Sequence, residues 1–338
     1  MIEDIVENKQ LHDHQNLKNL PNEVVNQYFF NEEDRLPLVY EAKQEAINLQ
    51  SFYQQNEEQI QANLLEYGAI LFRGFELENV EDFEGVIQTV LEEVTPYLGG
   101  ATPRKVISSK VSTSTEFPSD QEISLHNELS YEHSIPSKLL FFCLQQPVKG
   151  GQTQIADVNR VFDYIDSEII SAFYNNNGWK LIRNYGMGFG PNVESGFGTT
   201  DVDEIKRECE KRDVELQVIK SDLLRTIHLR SAVTNHPNSD LPLWLNHIVF
   251  WHSSSLPKQY FEYMSNAFAP EEFPYFTCYG NGESIPDEFA ENIRAAYRKA
   301  EVVFDWQKGD VLLLDNYRVA HGRKPFEGER KILVSMGN

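Results

Sequence analysis

The C-terminal stretch VVFDWQKGDVLLLDNYRVAHGRKPFEGERKILVSMGN, residues 302–338, decides the reading of this chain. It holds three apolar runs, Val302–Trp306, Val311–Asp315 and Lys331–Met336, separated by glycine-containing turns. Short apolar runs bounded by turn residues read as buried strands. Between the second and third runs, in DNYRVAHGR, stands His321, placed after a strand and just before a turn.

The same texture extends upstream. Ser137–Leu144 and Gln152–Ala156 read as strands joined by the turn-forming PVKGG, and Trp179–Tyr185, Leu224–Val233 and Leu241–Phe250 as further strands. Ala69–Phe75 is a short buried strand after Gly68. Helical composition and spacing predict helices over 40–67, Val80–Val94, 159–175, Asp201–Arg212 and Pro286–Lys299. The first forty residues are polar, with apolar positions too sparse for a core element, and read as an N-terminal extension. Helices first and many short strands afterwards predict one domain over 1–338, mainly β with flanking helices. Within it, 176–245 with its glycine-rich centre is expected to be an insertion or lid lining a substrate site.

Composition narrows the function. Asp and Glu outnumber Lys and Arg by 52 to 30, a formal net charge of −22, which repels nucleic acid and anionic membrane. The acidic start MIEDIVENKQ lacks a signal-peptide pattern, and the apolar runs are too short to span a bilayer. Cys143, Cys209 and Cys278 are odd in number and widely spaced, fitting neither a disulfide framework nor a thiolate metal site. A cytoplasmic protein is expected; its oligomeric state is open.

In SLHNELSYEH, His126 and Glu128 lie two apart, so on an extended strand both would face the same side. With His321 they would make a two-histidine, one-carboxylate facial triad, which leaves coordination positions open. His-x-Glu alone is weak, since nine histidines make one accidental match unsurprising. His133, at an odd offset, would point to the other face. Further residues suit a dicarboxylate: Arg330 opens the last strand, where its fork would fit a carboxylate, and Thr153 in GGQT could donate a hydroxyl. The bland alternatives are a solvated arginine and a strand-forming threonine.

Taken together, LHNELSY, PVKGGQTQIADV and WQKGDVLLLDNYRVAHGRKPFEGERKILVSM resemble the TauD/TfdA family of Fe(II)/2-oxoglutarate oxygenases. Within it the chain looks most similar to the SyrP-like hydroxylases of nonribosomal-peptide biosynthesis. The resemblance runs from Gly68 to the C-terminus and implies a double-stranded β-helix, a jelly-roll or cupin-like core. It implies His126, Glu128 and His321 as Fe(II) ligands, and Thr153 and Arg330 as ligands of 2-oxoglutarate, with Arg323 the second choice for the arginine. Related halogenases replace the carboxylate ligand with Ala or Gly, so Glu128 implies hydroxylation, with O2 and 2-oxoglutarate consumed and succinate and CO2 formed. A desaturase or cyclase on the same scaffold, a non-catalytic regulatory barrel and a zinc hydrolase are the alternatives. The implied substrate is an amino acid, free or tethered to a carrier protein. Arg183, Asn184, Ser108 and Asn246 are candidate contacts, each with a structural reading beside it; Asn246, for instance, could simply satisfy a turn.

Overall fold

The computed structural model describes residues 23–95, 105–114 and 117–338, so the acidic start of the chain lies outside the described residues. Two sheets face each other. The larger has seven strands, in the spatial order Val25–Asn31, Leu36–Ala42, Ala69–Arg73, Val311–Asp315, Lys138–Gln145, Lys331–Gly337 and Ser112–Thr113. The smaller has four, in the order Glu301–Phe304, Thr153–Asp157, Val319–Arg323 and Ile123–His126, all antiparallel. This is the jelly-roll core expected from the sequence.

The unbroken apolar runs are explained by burial on both faces. Alternate side chains of a strand point opposite ways. Leu139, Phe141 and Cys143 enter an inner core with Leu125, Ile155 and Ala320 of the small sheet. Leu140 and Phe142 enter an outer core with Phe52 and Leu64 of the helix Leu49–Tyr67 and Phe83 and Ile87 of the helix Val80–Val90. Phe83 stacks on Phe142 at 5.1 Å between ring centroids. Asn48 caps the first helix by accepting from the Ser51 N–H. Gly68 ends it at φ +78°, where an added Cβ would lie 2.5 Å from Val319 Cγ2.

Several expectations are corrected. The first forty residues are not all an extension: from Val25 onward they form the hairpin Val25–Asn31/Leu36–Ala42, whose second strand pairs in parallel with Ala69–Arg73. That strand, all buried from Leu36 to Tyr40, displaces the start of the predicted 40–67 helix to Leu49. The helix expected over 159–175 is two, Val158–Tyr164 and Ser167–Asn175. Only Pro242–Leu243 of the run Leu241–Phe250 is a strand; the rest is irregular, because Asn246 turns the backbone by accepting from Ile248 N–H and donating to Ala232 O. Residues 176–245 contribute three strands of a separate four-stranded sheet, completed by Tyr275–Tyr279. Among the described residues no helix is long and apolar enough to cross a membrane. The three cysteines are buried and free.

Candidate metal centre

The small sheet places the two histidines. Val319–Arg323 pairs antiparallel with Ile123–His126, and the register sets His321 opposite His126, ring centroids 4.5 Å apart. His321 is thus mid-strand, not at the strand end the sequence suggested, because the strand runs on through Gly322. An added Cβ at Gly322 would lie 2.5 Å from Ile123 O, so glycine permits this close pairing. The Nδ1 of His126 lies 2.8 Å from Ser124 O; donation there fixes the tautomer with its lone pair on Nε2.

Glu128 reaches the histidines by a different route from the one its spacing implied. The strand stops at His126, and Glu128 lies in a turn continued by Leu129 at φ +56°. Asn316 holds that turn. Its Oδ1 accepts the Glu128 N–H at 2.8 Å, and its Nδ2 donates to Glu128 O at 3.0 Å and Pro136 O at 2.9 Å. Asn127 Nδ2 in turn donates to Asn316 O at 2.8 Å. Ligand atoms of His126, Glu128 and His321 all lie within 4.8 Å of one another, so one ion can be shared by the three. Glu128 and His321 are buried, 5% and 6% exposed.

A narrow pocket leads from His126 and His321 to Thr153, Ser114 and Arg330. Thr153 is buried, and its Oγ1 accepts from Trp306 Nε1 at 2.9 Å. An indole N–H can only donate, so the Thr153 hydroxyl hydrogen is left to point elsewhere. Arg330 donates to Gly151 O at 3.0 Å and Ser114 Oγ at 3.2 Å, both neutral. Burial, and then the neighbouring Arg323 guanidinium, pull Arg330 down to about 9. A guanidinium so placed favours an anion beside it. Two of the three metal-type ligands, a cation and a hydroxyl lining one pocket suit a dicarboxylate.

Arg323 also lines this pocket, but its N–H groups serve another purpose. They donate to the carbonyls of Phe117, Pro118 and Gln121 and tether that loop. The substrate candidates have the following partners. Ser108 bonds Glu84 on the helix Val80–Val90, on the outer side of the large sheet. Asn184 donates to Glu271 O and Phe273 O and accepts from Arg225 Nε. Asn246 holds its own turn, as above. Arg183 is buried with its guanidinium over the rings of Tyr131, Tyr185 and Tyr275.

A second, larger cavity adjoins the centre, walled by Phe250–His252, Ser255–Pro257, the helix Lys258–Ala267, Phe273–Tyr275 and the loop before Ile123. Among its described lining residues none falls within 176–245, the stretch expected to line a substrate site. Sequence reading also missed His247. This buried imidazole packs 5.5 Å from the His126 ring and 5.3 Å from the Phe250 ring, and its Nδ1 is 2.7 Å from Ser130 Oγ. No local pattern marks it or Asn316, since both act across more than a hundred residues of chain.

Comparison with known proteins identifies the family. Residues 34–336 match the family described as Taurine catabolism dioxygenase TauD, TfdA family. The chain is 38% identical over 273 residues to the dapdiamide synthesis protein DdaC of Enterobacter agglomerans, covering 81% of this chain and 83% of that protein. Its fold resembles PvcB of Pseudomonas aeruginosa at TM-score 0.55, with 14% identity over 95% of this chain and 94% of that one. Another structure, of PvcB described as an Fe, alpha-ketoglutarate dependent oxygenase from an isonitrile synthetic pathway, gives TM-score 0.54 and 15% identity over 94% and 93%.

Proposed function

Because the chain belongs to the TauD, TfdA family, whose cofactor is iron and whose cosubstrates are 2-oxoglutarate and O2, we propose that it is a hydroxylase of an amino-acid-derived substrate in a biosynthetic pathway. The substrate, free or tethered to a carrier protein, would gain a hydroxyl at an unactivated C–H. One observation carries the reading: His126 and His321, which cluster with Glu128, line the same pocket as Thr153 and Arg330. Biosynthetic placement is supported by the 38% identity to DdaC, a synthesis protein.

The residues divide the work. His126, Glu128 and His321 would hold Fe(II), and the carboxylate of Glu128 would count among its ligands, where related halogenases have Ala or Gly. Arg330 would take the far carboxylate of 2-oxoglutarate as a bidentate pair, with Thr153 donating its hydroxyl to the same group. Arg330 is favoured over Arg323, whose N–H groups already serve three carbonyls. Iron with O2 supplies the oxidising chemistry, in which substrate, 2-oxoglutarate and O2 give hydroxylated product, succinate and CO2. The chain's own part is to orient the C–H and keep water out.

Anaerobic titration with Fe(II) and 2-oxoglutarate should produce the weak visible charge-transfer band of the chelate. A folded, iron-loaded protein without that band would sink the proposal. Product mass then separates hydroxylation, a gain of one oxygen, from desaturation or cyclisation, a loss of two hydrogens.

A further inference from the structure

The cavity beside the metal centre has a volume of about 590 Å3, in the range of sites for drug-sized ligands. Ile123 lines both this cavity and the narrow pocket, and the ring of Phe250 in its wall lies 5.0 Å from that of His126. A molecule filling it would lie against Phe250, whose ring packs on that of His126. Its wall is mostly aromatic and apolar: Phe117, Trp251, Tyr260, Met264, Phe273 and Tyr275. Trp251 and Tyr275 stack on each other at 4.0 Å and 13°.

Among the described lining residues of this space there is no Lys or Arg. Arg183 stands behind Tyr275, its guanidinium among three tyrosine rings. Arg323 spends N–H groups on Phe117, Pro118 and Gln121 carbonyls and so supports the rim from behind. His252 has its Nε2 3.0 Å from Ile285 O, and burial holds it below the ordinary histidine value, hence neutral. Among the described lining residues the one acidic or basic side chain other than His252 is Glu122, whose Oε1 accepts from Gln154 and Lys324. Ser124 and Ser255 offer neutral hydrogen bonds.

We infer that this cavity takes a substrate with an aromatic or long apolar body whose carboxylate is masked as an amide or thioester. A free carboxylate would meet no cation among the described walls and would face Glu122. An amide keeps its hydrogen bonds with the neutral polar groups. This rests on the oxygenase reading for where the reacting carbon lies, but the selectivity of the cavity is measurable without turnover.

Protein loaded anaerobically with Fe(II) and 2-oxoglutarate is titrated with two matched pairs: N-acetyl-phenylalaninamide against N-acetyl-phenylalanine, and N-octanoyl-glycinamide against N-octanoyl-glycine. The charge-transfer band and the tryptophan fluorescence, to which Trp251 contributes from the wall, are followed together. At least one amide should perturb both signals with an apparent Kd about tenfold or more below that of its acid. Gln121→Arg places a cation at the exposed rim; it should tighten the acid at least about fivefold and leave the amide within about twofold. Equal or tighter binding of the acids, no response to any probe, or indifference of Gln121→Arg to the acid overturns the inference. If the band forms but ignores the amides, this inference falls and the oxygenase reading stands. If the band never forms, the oxygenase reading falls, while fluorescence still ranks amide against acid.

Discussion

The side-chain amide of Asn316 grips the backbone of Glu128 from both sides, accepting its N–H at 2.8 Å and donating to its carbonyl at 3.0 Å. Asn316 is fully buried and also donates to Pro136 O. The carboxylate proposed to complete the iron site is thus positioned by a residue that touches no ligand atom. Asn316→Ala should lower iron affinity about 10- to 100-fold, the usual cost of losing support for a ligand. It should also cost about 2–4 kcal/mol in stability, because buried backbone groups lose their partners. Chelator competition and thermal unfolding measure the two separately; unchanged iron affinity in a folded variant would refute the positioning role.

Glu128→Ala removes the ligand itself. The two histidines would remain paired through their strands, since their register does not depend on Glu128. The fold should therefore survive, while iron is lost on dialysis and succinate formation drops by at least about 100-fold. Iron stoichiometry after gel filtration, with circular dichroism as the control, checks it. Full iron retention would move the third ligand elsewhere.

Arg330 and Arg323 lie close enough to repel and share the ring of Phe326, at 5.8 and 5.0 Å. They should nevertheless fail differently. Arg330→Gln should raise the 2-oxoglutarate KM about 100-fold, as expected for a lost bidentate pair, with little loss of unliganded stability because a disfavoured cation goes with it. Arg323→Gln frees the loop carbonyls of Phe117, Pro118 and Gln121, so it should chiefly raise the KM of the organic substrate. The reverse pattern in steady-state kinetics would exchange the two roles.

How far the sequence could lead is visible in particular residues. LLFFCL and VLLLD were legible because burial on both faces leaves them continuously apolar. His126 and His321 were legible as residue types, but their opposition is a register fact that neither segment contains alone. LPLVY at residues 36–40 was overlooked in its polar surroundings although every residue of it is buried. The run Leu241–Phe250 looked like a strand because apolar density alone does not separate a strand from a buried irregular turn. The wall helix Lys258–Ala267 gave no core signal, since Tyr260 and Tyr263 are exposed and only Met264 is buried.

His247 supplies the sharpest test of how the centre is tied to the cavity. Its imidazole is fully buried, held neutral by burial, and wedged against His126, Tyr131 and Phe250. Its Nδ1 bonds Ser130 Oγ, two residues beyond Glu128. One imidazole thereby links the turn carrying the carboxylate to Phe250, a wall residue of the cavity. Ser130→Ala deletes that link and little volume, at a cost of about 1 kcal/mol. If the link aligns substrate with the metal, the variant should keep iron and 2-oxoglutarate binding while forming more succinate per product, about twofold or more over the parent. A merely structural bond would lower stability and leave that ratio unchanged. His247→Ala should show the same uncoupling more strongly, and the double variant should add little to it, because the two side chains act through one contact.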